Sequence, residues 1–412
     1  MKVLHISLFD RIGGACIAGY RQHQALSLAG IDSKMLVKNK VTNDSKVTEF
    51  QPPTSFFPRI FRLLRRQIIK FSWNRRMPKS HMFDARSEYQ SLVYRSAMEA
   101  DIVNLQFPWG LIDYPSFFQY VARDKPLVIT MHDLSSFTGG CGYTNHCFNF
   151  LQSCGNCPML GRPLANDITY QQWKIKQQAY RARPPHFVAV SHWLAGMAKK
   201  SSLLKNEKIS VIYNGLDLKI FKPQPKDAAR AFLHVPQGEP VLAFAAASLS
   251  DRRKGVAILI DALRLMKQKP FLLTWGKKPP QELSGFRSLY LGNIENESIM
   301  VIAYSAADAL AVPSLEENLP QTVTESMACG TPVVAFASGG IPEVVQDGET
   351  GLLAEVGNLV ALTEALNRMF GNPNLQKKYS LNSIKKAQTS FSFEKNAESY
   401  ISLYDNILSK KK

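Results

Sequence analysis

Two glutamates, Glu317 and Glu325, stand eight positions apart in SLEENLPQTVTESMACGTPVVAF, Ser314 to Phe336. Pro320 lies between them. Proline has no place in a helix interior but fits a first turn. A helix is therefore expected to start near residues 318–320 and to stop at Gly330 and Pro332. Glu317 then sits in the loop before the helix, and Glu325 more than one turn inside it. The plain reading makes Glu317 a charge favoured by the helix dipole and Glu325 a solvated helix residue. The small and apolar SMACGTPVV after Glu325 points elsewhere. A carboxylate near a helix start, at the C-terminal end of a strand, is placed to accept hydrogen bonds from the hydroxyls of a sugar or ribose.

Two other places suit anions. Arg252, Arg253 and Lys254 follow the strand-like PVLAFAAAS. Cations at such a strand-to-helix junction could hold a diphosphate, although a lone charge run is more often a solvated turn. After the first strand, RIGGACIAG puts Gly13 and Gly14 at a helix start, where backbone can approach an anion closely. The spacing is neither G-x-G-x-x-G nor a P-loop, and a tight turn explains it equally well.

These groups need a scaffold. A chain of 412 residues exceeds one ordinary core, so two domains are expected. Strand-like and helix-like segments alternate, which argues for parallel sheets flanked by helices. KVLHISLF, SKMLVK, ADIVNLQF, PLVITMH and HFVAVS lead to KISVIYNGLDLKIFKPQP, whose Pro-rich end marks a boundary. PVLAFAAAS, FLLTWG, SLYLG, ADALAVPS and TPVVAFA repeat the plan. The expected domains are 1–215 and 216–390, each doubly wound. A helix over 391–412, with Phe393, Ala397, Tyr400, Ile401, Leu403, Tyr404 and Leu408 on its apolar side, is expected to return toward the first domain. Ligands in such sheets sit beyond the C-terminal strand ends, and two such domains imply a cleft.

An apolar content of 45% excludes wholesale disorder. No apolar run is long enough to span a bilayer, and the start lacks the pattern of a signal peptide. A cytoplasmic protein is expected. The net charge of +17 is segregated: residues 1–220 hold 29 Lys/Arg against 14 Asp/Glu, and the remainder 21 against 19. Beyond simple solubility, this points to an anionic partner of the first half: a membrane surface, a nucleic acid or a phosphorylated substrate.

FFPRIFRLLRRQIIKFSWNRRMPK, residues 56–79, carries eight basic and no acidic residues. Phe57, Ile60, Phe61, Leu64, Ile68 and Phe71 can share one helical face, as in a basic interfacial helix. The alternative is a helix packed on the core with its arginines outward. No nucleic-acid motif accompanies the charge, so nucleic acid is disfavoured. Four of the six cysteines, Cys141, Cys147, Cys154 and Cys157, fall in one insertion over 134–165. Structural zinc, reduced thiols and a disulfide all remain open for them, the last disfavoured in a reducing compartment. Cys16 and Cys329 read as core thiols.

The glycine pair after the first strand, MHD at 131–133, VIYNGLD at 211–217, RKG at 253–255, the glutamate stretch and GGIPEVVQDGETGLL at 339–353 occur in a set order. In that order they resemble glycosyltransferase family 4, whose E-x7-E signature Glu317 and Glu325 match. The resemblance covers nearly the whole chain. It implies the α/β GT-B fold, with two Rossmann-like doubly wound domains. It also implies transfer of a sugar from a UDP- or GDP-sugar with retention and with no catalytic cofactor or metal. Carried over, Glu325 binds the ribose hydroxyls, and Glu317 meets the donor sugar near the reacting centre. Asn318, Leu319 and the amides of Gln321 and Thr322 line the sugar and diphosphate. Arg253, Lys254 and the Gly13–Gly14 backbone hold the diphosphate. His132 faces the donor sugar across the cleft, although a structural histidine at a strand end is its plain role. The catalytic set is His132, Glu317 and Lys254.

The cysteine-rich insertion resembles that of a branch building cell-surface polysaccharide, such as lipopolysaccharide or capsule. Membrane contact by the 56–79 helix would suit a lipid-linked saccharide acceptor and a peripheral place on the inner face of the membrane. Two departures stand out. Ala247-Ser248 replaces a frequent Gly-Arg, with Arg252 nearby as the candidate substitute, and Pro320 replaces a common glycine. The alternative function is a GT-B-shaped binding or assembly protein that has lost catalysis.

Overall fold

The computed structural model describes all residues except 74–81, 122–124, 162–163, 246–250, 278–282, 284 and 411–412. The chain forms two compact units, Met1–Tyr213 with Asn396–Lys412, and Asn214–Lys395.

Unit 1 holds seven strands: β1 (Lys2–Phe9), β2 (Asp32–Asn39), β3 (Val47–Glu49), β4 (Ile102–Phe107), β5 (Leu127–Met131), β6 (His186–Ala189) and β7 (Ile209–Val211). They lie parallel in the order β3-β2-β1-β4-β5-β6-β7. Its helices are α1 (Gly14–Leu28), α2 (Phe56–Trp73), α3 (Tyr114–Tyr120), α4 (Ile168–Ala182) and α5 (His192–Lys200). Parallel strands covered on both faces need apolar residues on both, which is why IVNLQF and LVITM are near-continuous runs.

Unit 2 repeats the winding with β8 (Val241–Ala245), β9 (Phe271–Trp275), β10 (Ser288–Tyr290), β11 (Ala309–Val312), β12 (Val333–Phe336) and β13 (Gly351–Ala354). The order is β10-β9-β8-β11-β12-β13, again all parallel. Its helices are α6 (Lys226–Leu233), α7 (Val256–Leu265), α8 (Glu297–Ala306), α9 (Gln321–Ala328), α10 (Ile341–Val344), α11 (Leu359–Phe370) and α12 (Pro373–Ser390). The last helix, α13 (Phe393–Ser409), belongs to unit 1 from Asn396 onward.

In each sheet the first strand has the second on one side and the fourth on the other. This is the Rossmann order, with its topological switch point between β1 and β4 in unit 1 and between β8 and β11 in unit 2.

Two strands had no counterpart in the sequence reading. Both β3 and β13 are edge strands, three and four residues long, and so carry little apolar pattern. Helix α9 begins at Gln321, one residue beyond the expected range, because Pro320 takes the extended N-cap position (φ −70°, ψ 130°). Helix α2 is described as far as Trp73; residues 74–79 of the basic stretch, and Ala247 and Ser248, lie outside the described residues.

Candidate functional site

The ends of β8, β11 and β12 converge at the switch point of unit 2. After β8 the chain makes one 3-10 turn, Arg252–Lys254, capped by Asp251, whose Oδ1 accepts from the Arg253 amide at 3.0 Å. After β11 comes the loop that carries Glu317. The Leu315 amide donates to the Arg253 carbonyl at 2.8 Å, tying the two loops together. After β12, the Gly340 amide donates to the Asn318 carbonyl at 2.6 Å. This convergence needs glycine twice. A Cβ on Gly255 (φ +70°) would lie 1.9 Å from the Pro313 carbonyl oxygen, and one on Gly339 (φ +58°) 1.6 Å from that of Glu317.

Within this knot, Glu317 is a junction of charge. Its Oε2 accepts from Lys254 Nζ at 2.5 Å and from Arg253 Nη1 at 3.1 Å. Arg253 Nη1 also donates to the Glu316 carbonyl at 2.6 Å, and Nη2 pairs with Asp251 at 3.2 Å. Glu317 is only 4% exposed, so both cations are held by a nearly buried carboxylate. The family resemblance implies a place near the donor sugar for Glu317. The structure adds that it anchors the two diphosphate-binding candidates, and that Asp251, absent from the sequence reading, is the second anchor.

Glu325 is buried as well, which overturns the plain reading of a solvated helix residue. Its Oε2 accepts from the hydroxyl of Tyr304, on α8, at 2.9 Å. Asn318 and Leu319 are buried, while Gln321 and Thr322 are half-exposed at the first turn of α9. Arg252 is exposed on its turn. The residues expected to bind the donor in unit 2 thus lie on the loops after β8 and β11 and on helix α9.

In unit 1, Gly13 (φ +85°) is the N-cap of α1 with no side-chain cap, and Gly13 and Gly14 are exposed. His132 follows β5. Its Nε2 meets Gln106 Oε1 at 2.9 Å, and enclosure by the protein lowers its pKa to about 4, so the ring is neutral at pH 7. The neighbouring Asp133 caps the turn Leu134–Phe137. Lys176 of α4, fully buried, donates to the carbonyls of Ser135 (2.6 Å) and Thr138 (2.9 Å), which fixes the loop behind His132.

Among its described residues, the cysteine-rich insertion follows as two further 3-10 turns, Asn149–Leu151 and Pro158–Leu160, with no strand. Cys141, Cys147, Cys154 and Cys157 all line one cavity, and all are free thiols. Burial pushes the thiols of Cys141 and Cys154 up to about 12. Among the described residues, no group of three or more His, Cys, Asp or Glu side chains stands in a metal-holding arrangement.

Helix α2 does not take the expected placement with its apolar face on the core and its arginines outward. The stripe Pro58, Arg62, Arg65, Ile69, Ser72 and Trp73 is its less exposed side. Arg65 donates to Asp113 Oδ1 and to the Ser87 carbonyl, both at 2.9 Å. Phe57 (72% exposed), Phe61, Leu64, Ile68 and Phe71 (81%) face outward. The helix is therefore not packed on the core through its apolar face. No described helix is long and apolar enough to cross a membrane.

The comparisons agree with this architecture. Residues 34–220 match the Glycosyltransferase Family 4 model, and residues 239–372 match Glycosyl transferases group 1. A D-inositol 3-phosphate glycosyltransferase of Actinosynnema mirum is 32% identical over 216 residues, covering 48% of this chain and 51% of the relative. The same-named protein of Mycobacterium bovis is 33% identical over 199 residues, covering 40% and 37%. The matched stretches thus span about half the length of these curated relatives, or less.

Among solved structures, sucrose-phosphate synthase from Thermosynechococcus elongatus superposes with a TM-score of 0.72 at 20% identity, covering 100% of both chains. Anabaena Alr3699/HepE in complex with UDP and glucose superposes with 0.67 at 17%, covering 98% of this chain and 100% of the other. Likeness at that identity speaks for the fold, which is GT-B. With one glycosyltransferase domain model matched in each half on that fold, the chain belongs with the family 4 glycosyltransferases.

Proposed function

We propose that the chain transfers a sugar from a nucleoside-diphosphate donor, a UDP- or GDP-sugar, to a saccharide acceptor with retention and without a catalytic metal. The observation that carries this reading is the Asp251–Arg253–Lys254–Glu317 cluster at the switch point of unit 2. As the bond from the sugar's anomeric carbon to the phosphate oxygen breaks, negative charge gathers on the departing diphosphate. Lys254 and Arg253 are fixed by Glu317 and Asp251 before that charge appears, so little reorganisation accompanies it. Glu325, braced by Tyr304, accepts the ribose hydroxyls. The acceptor oxygen attacks from the face the phosphate leaves, and its proton passes to a phosphate oxygen. No second carboxylate is required as a nucleophile. That a neighbour of the same fold is known with UDP and glucose supports the donor class.

A thermal-shift screen of nucleotide sugars, followed by donor turnover, tests the reading. A UDP- or GDP-sugar should stabilise the chain, and Lys254→Ala should weaken that shift and slow turnover. If no nucleotide sugar binds, or Lys254→Ala changes nothing, the enzyme reading gives way to that of a binding or assembly protein.

The acceptor side is proposed to work at an anionic membrane on a lipid-linked saccharide in cell-surface polysaccharide synthesis. The outward apolar face of α2, with exposed Arg59, Arg66 and Lys70 on the same helix, supports it. Arg65 is a poor probe, since it serves the nearly buried Asp113. Co-sedimentation with anionic liposomes should instead weaken in Phe57→Ser/Phe71→Ser and in Arg59→Ala/Arg66→Ala; unchanged binding in both rejects it. A structural zinc is proposed as well, for which the four thiols would have to close up around the cavity they share. Reduced protein without stoichiometric zinc would reject that.

A further inference from the structure

The sheet of unit 1 carries a second group of cations, separate from Arg253 and Lys254. Lys38 stands near the end of β2, and its Nζ donates to the Gly110 carbonyl, beyond β4, at 3.2 Å. The same Nζ lies 5.1 Å from the ring centre of Tyr89 and 3.7 Å from Glu88 Oε1. Phe50, directly after β3, meets the Tyr89 ring edge-on at 5.2 Å. Tyr89 thus lies beside the C-terminal ends of these strands, where ligands of parallel α/β sheets sit.

Helix α2 reaches the same place from outside. Arg65 donates to the Ser87 carbonyl, and the Tyr89 amide donates to Ser87 Oγ at 3.1 Å, so α2 is pinned two residues from Tyr89. Arg62 and Arg66 are four residues apart and share one side of α2. Burial and Glu88 raise the pKa of the Tyr89 phenol, and Arg62 and Arg66 are close enough to pull against them. Like charges at this spacing work against the helix. Among the described residues no carboxylate pairs with either arginine, and Arg62 Nη1 is enclosed with no hydrogen-bond acceptor. A charged donor enclosed without an acceptor is costly. An oxyanion seated at the open edges of two guanidinium groups offsets both costs, and the planar forks match phosphate oxygens. Three cations here face one carboxylate, Glu88, so an anion is still attracted.

We propose that Lys38, Arg62 and Arg66, gathered around Tyr89, form a binding site for a phosphate ester, and that its ligand is the phosphate joining the acceptor's saccharide to its lipid. The outward apolar face and this cationic side belong to the same helix, so α2 can meet a lipid chain and its phosphate together. Assigning the ligand to the acceptor rests on the acceptor reading proposed above; the phosphate site does not.

The site is tested on the full chain labelled with 15N-arginine, reading side-chain Nε–H resonances during titration with inorganic pyrophosphate at constant ionic strength. Arg62 and Arg66 are assigned by their loss in Arg62→Gln and Arg66→Gln. Both resonances should move together and saturate, while that of Arg59, on the same helix, moves little. Arg66→Gln should raise the half-saturating concentration read at Arg62 about tenfold, as expected for one lost charge-assisted contact. Glu88→Gln, which removes the opposing carboxylate, should lower it. Resonances that stay still, or an Arg59 that moves as far as the other two, overturn the site; the second result is that of a merely solvated charged face. Because the readout is local to α2, it holds whether or not a nucleotide sugar binds or turns over.

The source of the phosphate is tested with phosphatidylcholine vesicles carrying farnesyl diphosphate or phosphatidylglycerol at equal charge. The chain should be retained more strongly by the diphosphate vesicles. Arg62→Gln/Arg66→Gln should abolish that preference, and Lys199→Gln/Lys200→Gln, which removes as much charge from α5, should keep it. Equal retention by the two vesicles overturns the acceptor assignment in favour of bulk anionic lipid. Loss of the preference in both double variants traces it to net charge and overturns the assignment as well.

Discussion

The two sheets of this protein are wound alike and finished differently. Each runs outward from its first strand in the same order, and each opens a switch point beside its fourth. In unit 2 that point is filled by charge: two cations locked to a nearly buried glutamate and an aspartate. In unit 1 it is backed by neutral groups: two imidazoles, three side-chain amides, a threonine hydroxyl and two phenols in one hydrogen-bonded chain. Winding fixes where a ligand can sit; the side chains on the strand-end loops fix what they do there. Charge suits a departing diphosphate, and directed neutral hydrogen bonds suit the orientation of hydroxyls.

The largest effects should come from breaking the charged end. Removing Glu317 by Glu317→Ala leaves Arg253 and Lys254 facing each other, 14% and 17% exposed, without their shared anion. The loss of one member of a buried pair typically costs about 3–5 kcal/mol, and partial exposure should keep this case at or below the lower end. Urea unfolding should show that loss and activity should vanish. Lys254→Ala leaves Glu317 with Arg253, so stability should change less while turnover falls about 10²–10³-fold. Equal stability loss in the two variants would mean that Glu317 is not the anchor described.

Backbone strain gives a smaller and cleaner contrast. Gly339 and Gly13 both have positive φ, +58° and +85°. At Gly339 an added Cβ meets the Glu317 carbonyl; at Gly13 it meets nothing within 4 Å. Gly13→Ala should therefore cost about 1 kcal/mol of conformational strain alone. Gly339→Ala must also move the Glu317 loop, and should cost more and weaken donor-induced thermal stabilisation. Similar costs at the two glycines would mean that the β12 loop does not brace the charged cluster.

The contrast between the ends was unevenly legible in the sequence. The fold was readable because parallel strands buried on both faces leave long apolar runs, and because helices between them keep their own period. The charged end was readable too: arginine and lysine after a strand, and glutamates around a helix-starting proline, are local patterns. What local pattern could not show is that Glu317 reaches 63 and 64 positions back to Lys254 and Arg253. The amide chain was invisible for a stronger version of the same reason. Gln22, Asn104 and Gln106 are ordinary polar residues in sequence, and their partner Tyr404 stands 382 positions from Gln22. The phenols belong to the apolar side of the last helix, as its period predicts; the hydroxyls at their tips have no sequence period. The edge strands β3 and β13 were missed because three or four residues carry no periodicity to detect.

Acidification should separate the two ends with the smallest perturbation. Of the eight histidines, seven lie before residue 214; His234 alone falls in unit 2, where it is exposed. In unit 1, burial lowers the pKa of His5, His186, His23 and His132, the last two to about 4. Unfolded, each titrates near its ordinary value of about 6.5. Above that pH both states are neutral and nothing is lost. As pH falls from there toward 4, the unfolded chain binds protons that the folded unit refuses, so stability drops. The limiting slope is about 1.4 kcal/mol per pH unit for each such imidazole, and less for the partly exposed His132. Hydrogen exchange at pH 7 and pH 5, corrected for intrinsic rates, reads each sheet separately. Protection of β1, β4 and β5 should fall between these conditions while that of β8, β11 and β12 changes little. Equal loss in both sheets would deny that the neutral end depends on uncharged imidazoles. A loss confined to unit 1, and reduced in His23→Gln, would tie the acid sensitivity to these buried rings.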